Sequence, residues 1–428
     1  MESTLLLACN NISLVDSCHV LNLSNSQPLW LARPIYGLAA PIIILVTLIT
    51  NSLVVLVLSH RNLRTPTNHI LLAMAVAELM TGLSSCPWFI YYYTLGGFLT
   101  DQHEGLNEFW CRFHSYFAVH FPTIFHTTAI WLTVFLAIQR YVYVCVPSIV
   151  CKYCNPVRTR QMIAIIVLAA LVNEVPLMLF QSSVSLKLSQ QSRLCIRLYA
   201  PLIEQTIGAN AFYSIMLCYR AVFIHSVPCA LLIVFTGKLF RTINEADRKR
   251  SFQSFPSRKT ASATRLSLHS PARLMHATTK MLIVVIAIFL LIEIPVALIF
   301  LLHFVVVVYG LMPLSMYQPI NNLIIIRNFL IILTYPLNFA IYFGMSSSFQ
   351  LQFRQLFTKK ILYVAAPQSQ TSRPPRFSVQ LIDIHRIRSP SAISLLKLWD
   401  RRSRQRNSET SANERICNNQ LHPNDTFL

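Results

Sequence analysis

Apolar residues along this chain gather into seven blocks, at about 35–58, 68–93, 111–144, 160–180, 217–240, 278–308 and 319–343, separated by more polar stretches. Each block spans about 20 residues or more, the length an α-helix needs to cross the hydrocarbon core of a bilayer. The pattern predicts an all-α membrane protein, a seven-transmembrane helix bundle over 35–343. A different pattern follows it. Within 348–362, Phe349, Phe353, Leu356 and Phe357 recur at helical spacing opposite Arg and Lys, which predicts an amphipathic eighth helix on the inner membrane surface. Segment 1–34 reads as a short extracellular N-terminus, and 363–428, rich in Ser, Arg and Pro, as a disordered cytoplasmic tail.

Composition supports the membrane reading. Of 428 residues, 54% are hydrophobic and 12% charged, a balance rare in a soluble domain. The net charge of +20 would suggest nucleic acid in a soluble protein, but the basic residues lie between alternate blocks and after the last one. His60, Arg61 and Arg64 occupy the first such stretch, Lys152, Arg158 and Arg160 the third, and Arg241, Arg248, Lys249, Arg250, Arg258, Lys259, Arg265 and Arg273 the fifth. The stretch between them that holds Asp101, Glu104 and Glu108 is acidic. Lys and Arg stay on the cytoplasmic side, so the expectation is a multi-pass plasma-membrane protein with its N-terminus outside and its tail inside. A cleavable signal peptide is not expected, and the first spanning helix would direct insertion.

On the outer side, Asn11 and Asn22 stand in glycosylation sequons, whereas the sequon at Asn424 falls in the cytoplasmic tail. About 34 residues leave no room for a folded ectodomain, so a ligand would be met by the helices and outer loops. The eleven cysteines lack the spacing of a zinc site, and no metal or cofactor is implied. Cys111 opens the third block on the outer side and Cys195 lies in the loop before the fifth. An oxidising compartment would let them pair over the helix mouth; the alternative is two buried free thiols. Cys9 and Cys18 form a second candidate pair.

Four stretches carry a resemblance: HRNLRTPTNHILLAMAVAE (60–78), IWLTVFLAIQRYVYV (130–144), IPVALI after Glu293, and YPLNFAIYFGMSSSF (335–349). In that order and spacing, the chain resembles the rhodopsin-like G-protein-coupled receptors over 34–362. FHTTAIWLTVFLAIQRYVYVC, MLIVVIAIFLLIEIP and YPLNFAIYFGMS are similar to the insect sex peptide receptor and myoinhibitory-peptide-receptor family. That resemblance implies an amidated extracellular neuropeptide as ligand and an inhibitory heterotrimeric G protein as partner.

The resemblance gives residues roles. Arg140, followed by Tyr141, is the expected contact for an inserted G-protein helix, able to pair with neighbours at rest and to donate hydrogen bonds on activation. The alternative is a topology anchor. The family usually has an acidic residue before this Arg, and here it is Gln139; the usual partner position on the sixth helix falls near Met275. Both local carboxylates are missing, so the resting state should be held by packing, with raised basal signalling. Glu78 stands where the family has an Asp that helps hold sodium, and Ala129 where the third helix often has a hydroxyl. The equal alternative is a protonated Glu78 hydrogen-bonded to Asn51 and Asn338. Glu293 lies two residues before the kink-forming Pro295 and is expected to pair with Arg220 or Arg327. On the seventh helix Asn338 and Tyr342 are carried over as switch residues, with the kink displaced to Pro336.

Retinal is excluded because no Lys lies in 319–343, and an amine lacks its counter-ion because Pro122 stands where aminergic receptors have an Asp. Trp88, Tyr91, Tyr92, Tyr93, Phe98 and Trp110 suit a peptide with apolar anchors, or an interfacial belt; Trp88, Tyr92, Arg220 and Arg327 are the candidate pocket residues. His120, His126 and His225 read as satisfied core residues. Ser251, Ser262, Ser267, Ser403 and Ser408 follow basic residues as kinase sites do, and Thr426-Phe427-Leu428 fits a PDZ-binding terminus. The partners implied are an extracellular peptide, a heterotrimeric G protein, arrestin, a PDZ-domain protein and membrane lipid, with no nucleic acid. No catalytic constellation is present, so an enzyme is not expected. A seven-helix receptor for a non-peptide ligand, and an ion channel or transporter, are the alternatives.

Overall fold

The computed structural model describes residues 19–20, 23, 27–187, 192–253, 271–309 and 318–364. Seven of its helices are long and apolar enough to cross a membrane: α1 (Leu29–Leu58), α2 (Pro66–Thr94), α3 (Glu108–Cys145), α4 (Pro156–Phe180), α5 (Ala209–Arg248), α6 (Thr279–Val306) and α7 (Pro319–Met345). An eighth, α8 (Ser347–Val364), follows α7. The apolar stretches of α2 and α3 are each 56% buried and that of α4 only 17% buried, so α2 and α3 form the centre and α4 the rim. Leu45, Ile49, Leu168, Val172, Leu291 and Leu298 are exposed on the outer faces. So large an apolar surface fits hydrocarbon rather than water.

Several helices begin earlier than hydrophobicity alone predicts. α2 starts at Pro66 rather than 68 because Thr65 caps it, its Oγ1 accepting from the Asn68 amide at 3.2 Å. α4 starts at Pro156 rather than 160 because Asn155 accepts from the Arg158 amide at 2.8 Å. In both, a capping side chain precedes a Pro at the first helical position, where the missing N–H costs nothing. α1 runs from Leu29 through Pro34, which reads as a boundary in the sequence; a π-turn at Ile35–Ala39 directly after it carries the helix on. Further π-turns occur at Ile90–Thr94, His114–His120 and Arg220–Ser226.

The fold also contains strands where the hydrophobic blocks alone predict a loop. β1 (His19–Val20), β2 (Gln181–Lys187) and β3 (Arg193–Tyr199) form an antiparallel sheet in the order β1-β3-β2, with Ser185 opposite Cys195. Cys195 of β3 is bonded to Cys111 of α3, with Cα atoms 5.8 Å apart. The sheet is also tied down by Glu108, which accepts from the Ser185 amide at 2.7 Å, and by the Glu104 carbonyl, which accepts from the Arg193 amide at 2.7 Å. Gly105 makes this approach possible: its φ is +77°, and a Cβ there would lie 1.9 Å from the Arg193 carbonyl oxygen.

At the opposite end of the bundle, Phe349 of α8 is buried and Phe353 packs against Phe339 and Phe343 of α7. The apolar face predicted for 348–362 is thus partly spent on α7, while Phe357 stays exposed. Asn11, Asn22, Cys9, Cys18, Ser262, Ser267, Ser403, Ser408, Thr426, Leu428 and the tail lie outside the described residues, as do the side chains of Ser251 and Met275.

Candidate ligand cavity and switch network

A cavity of about 250 Å³ opens near the disulfide end. Ser115, Val119 and His120 of α3, Leu177 of α4, Gln181 of β2, Arg197 of β3, Tyr213, Met216, Leu217 and Arg220 of α5, Ile299, Phe300 and His303 of α6, and Ile324 and Arg327 of α7 line it. Two of the π-turns, His114–His120 and Arg220–Ser226, end or begin on lining residues. An inserted residue in a helical turn re-aims the side chains around it, which is why such turns recur at functional sites.

The charges inside the bundle pair differently from expectation. Arg220 donates from Nη2 to Oε1 of Glu174, and Glu174 Oε2 lies 3.0 Å from His120 Nδ1. Glu174 is fully buried, whereas the Arg220 side chain keeps 21% exposure toward the cavity. Glu293 pairs with neither Arg220 nor Arg327: its Oε2 is 3.2 Å from His225 Nδ1 and its Oε1 is 3.2 Å from His126 Nε2. The expected Glu293–Arg220 or Glu293–Arg327 pair is therefore corrected to two carboxylate–histidine clusters. Helix rotation decides which groups meet, and hydrophobic spacing does not fix that rotation. Glu174, absent from the expected site residues, stands in a largely apolar block as Glu78 and Glu293 do. Applying the same intramembrane-charge criterion to block 160–180 would have found it.

Arg327 has no carboxylate within ion-pairing distance among the described residues. Its Nε and Nη2 donate to Asn328 Oδ1 at 3.0 and 2.6 Å, and its guanidinium lies 4.6 Å from the Phe300 ring centroid. Arg197 is held on β3 outside the spanning helices. Burial pulls its guanidinium below the ordinary Arg range; Tyr199 and Tyr213 oppose that shift and the charge of Arg220 adds to it. Trp88 and Tyr92, expected at the pocket, are not among the lining residues. They are 2% and 0% exposed, stack on each other at 4.8 Å, and tie α2 to the loop through Tyr92 Oη, which donates to Asp101 at 2.7 Å. Burial raises the Asp101 carboxyl, and that hydrogen bond partly offsets the rise.

Deeper in the bundle, Glu78 accepts from Asn51 Nδ2 at 3.1 Å and from Asn338 Nδ2 at 2.6 Å. Glu78, His126, Thr133, Glu293, Tyr335 and Asn338 face a common space of about 20 Å³, room for roughly one water. At the far end, Arg140 is 7% exposed, its guanidinium lies 5.7 Å from the Tyr143 ring, and its Nε has no hydrogen-bond partner among the described residues. Its neighbour Gln139 is instead engaged: Thr67 Oγ1 donates to its Oε1 at 3.1 Å, and its Nε2 donates to Thr159 Oγ1 at 3.4 Å. Tyr141 packs on Phe235 with Lys238 over its ring, and Tyr342 is buried. α6 and α7 continue through Pro295 and Pro336.

This arrangement, a disulfide-capped cavity above a buried polar core and a buried Arg, has relatives. Residues 50–342 match the family described as 7 transmembrane receptor (rhodopsin family). The chain is 32% identical to the sex peptide receptor of Drosophila melanogaster over 344 residues, 80% of this chain and 76% of that one. It is 30% identical to sex peptide receptor-related protein 2 of Caenorhabditis elegans over 331 residues, 76% and 71% of the two chains. A shorter match, 36% over 94 residues, is to the rhodopsin of Alligator mississippiensis, covering 21% of this chain and 22% of that one. The chain belongs to the rhodopsin family of seven-transmembrane, G-protein-coupled receptors, among the relatives of the sex peptide receptors, and this receptor class is not an enzyme.

Proposed function

We propose that the protein is a plasma-membrane receptor for an extracellular, C-terminally amidated neuropeptide, signalling through inhibitory G proteins. The N-terminus and the sheet face outward in this reading, and Arg140 faces the cytoplasm. The observation that carries it is the 32% identity with a sex peptide receptor across 80% of this chain. The cavity is compatible with it in size. It is smaller than the ~300–1,000 Å³ that encloses a drug-sized ligand, so it would admit one or two residues of a longer peptide. The remaining contacts would fall on β2, β3 and the helix ends around the mouth.

Binding at the disulfide end would shift α6 and α7 about Pro295 and Pro336 and free Arg140 for a G-protein helix, with Tyr141, Asn338 and Tyr342 changing partners. A panel of amidated neuropeptides, including ones with spaced tryptophans, tests this in cells carrying an inhibitory-G-protein reporter. Activation that pertussis toxin abolishes is the expected result. Activation that persists under the toxin would reassign the G protein, and silence across the panel would remove the peptide.

A further inference from the structure

The cavity has more positive than negative charge built into it. Arg197, Arg220 and Arg327 reach it from β3, α5 and α7. Among the described residues, Glu174 is the one carboxylate in ion-pair contact with any of them, and it serves Arg220 alone. Among the described residues, Arg327 meets the neutral Asn328 side-chain oxygen and the Phe300 ring. The Arg197 Nε is buried without a hydrogen-bond partner among the described residues. His120 is taken by Glu174, and Glu293 is held by His126 and His225. Two half-buried guanidinium groups therefore face the cavity with no carboxylate in ion-pair contact among the described residues, an arrangement that an anion would complete.

We propose that the ligand supplies that anion: a carboxylate of the peptide enters the cavity and is met by Arg197 and Arg327. A planar guanidinium presents paired N–H donors that match a carboxylate, and the interaction strengthens where water is excluded. Arg220 is the lesser contributor because Glu174 already neutralises it. The proposal rests on the peptide reading above and sharpens it. An apolar anchor alone would leave both charges uncompensated, whereas an Asp or Glu side chain, or a free C-terminal carboxylate, would satisfy them.

The test uses the full chain in cells, positional-scanning libraries of amidated decapeptides with Asp, Asn, Glu or Gln fixed at each position, and a nucleotide-exchange readout covering all G-protein classes. At one position the acids are expected to be at least about tenfold more potent than their amides, the gain a charge-assisted hydrogen bond gives. That preference should fall to near unity in Arg197→Gln and in Arg327→Gln receptors matched for surface expression. Equal potency of acids and amides at every position in the unmodified receptor overturns the carboxylate site while leaving the peptide receptor standing, and needs no variant to fold. Retention of the preference in both Arg variants also overturns it. A matched non-amidated library separates the two sources: a gain confined to the free C-terminus keeps the carboxylate site and overturns amidation. Silence from both libraries overturns the peptide reading on which the proposal rests.

Discussion

Replacing Glu174 with Gln should measurably loosen the bundle, because α4 has little else to hold it. Among the residues of α4, Thr159, Ala170, Glu174 and Leu177 alone are buried. Glu174 bridges that helix to α3 through His120 and to α5 through Arg220. The substitution keeps the shape and removes the charge, leaving Arg220 unpaired. Breaking one side of a buried ion pair costs about 3–5 kcal/mol, and because the Arg220 side chain is 21% exposed to the cavity the expected loss is lower, about 2–3 kcal/mol. At roughly 2–4 °C per kcal/mol, that is an apparent Tm lower by about 5 °C or more. The assay is thermal unfolding of the full-length receptor in detergent. Most of the loss reflects the stranded Arg220, so the double variant Glu174→Gln/Arg220→Gln should fall short of the sum of the two singles by about 1–3 kcal/mol. An unchanged Tm in Glu174→Gln, or strictly additive losses in the double variant, would refute the assignment of this triad as the tie of α4.

Three other outcomes follow from the same structure. Cys111→Ser or Cys195→Ser opens a loop of 84 residues, worth about 4–5 kcal/mol in chain-entropy terms, and should sharply reduce surface expression by flow cytometry; normal expression with full ligand response would contradict it. Asn338→Leu leaves Glu78 Oε1 without its 2.6 Å donor, and should lower stability by about 1–3 kcal/mol in the thermal assay, whereas an unchanged melting curve would mean that the carboxyl finds another partner. Gln139→Ala removes the bonds to Thr67 and Thr159, and should raise ligand-free signalling in a nucleotide-exchange assay; no increase would show that packing alone closes that end.

The spanning helices were legible because bilayer thickness imposes a length that hydrophobic runs record directly. Their starts were less so, since Thr65 and Asn155 act through a local hydrogen bond to which a hydropathy window is blind. The hairpin of β2 and β3 is not legible because its residues read as a loop between two strong helical blocks and LCIRL does not alternate, although SVSLK does as strands do. Arg220, Glu293, Arg327 and Glu78 stood out in the sequence as charges in apolar runs, the most expensive positions available to them. Their partners did not. A π-turn such as Arg220–Ser226 adds a residue to one turn and rotates everything before it by about 100°, so the facing of Arg220 does not follow from regular helical spacing. Trp88 and Tyr92 mislead for the opposite reason: interface aromatics and core aromatics have the same composition, and only packing distinguishes them.

The two ends of the bundle differ in where their charged groups lie, buried near the cavity and exposed near Arg140, and that bears on how the receptor can switch. Around the cavity buried carboxylates set the contacts: Glu174 with the Arg220 guanidinium and the His120 ring, and Glu293 with the rings of His126 and His225. His225 stacks on Phe300 at 4.4 Å, and Phe300 lies beneath Arg327, so a charge arriving at Arg327 acts close to Glu293 and its histidines. His126 in turn meets Tyr335 at 3.3 Å, and both face the small space shared with Glu78 and Asn338. Electrostatic energies fall steeply with distance and rise in a poorly polarisable interior, so rearranging these pairs involves several kcal/mol. At the Arg140 end the neighbouring Gln139 offers two neutral hydrogen bonds, each worth about 1 kcal/mol. Among the described residues the ion pair at this end is the exposed one of Lys280 with Asp247 at 2.7 Å, between α6 and α5, and the buried contacts beside Arg140 are neutral bonds and packing. In the proposed receptor the resistance to activation would therefore lie more at the cavity than beside Arg140, and changes at the cavity should alter the resting equilibrium more than equivalent changes beside Arg140.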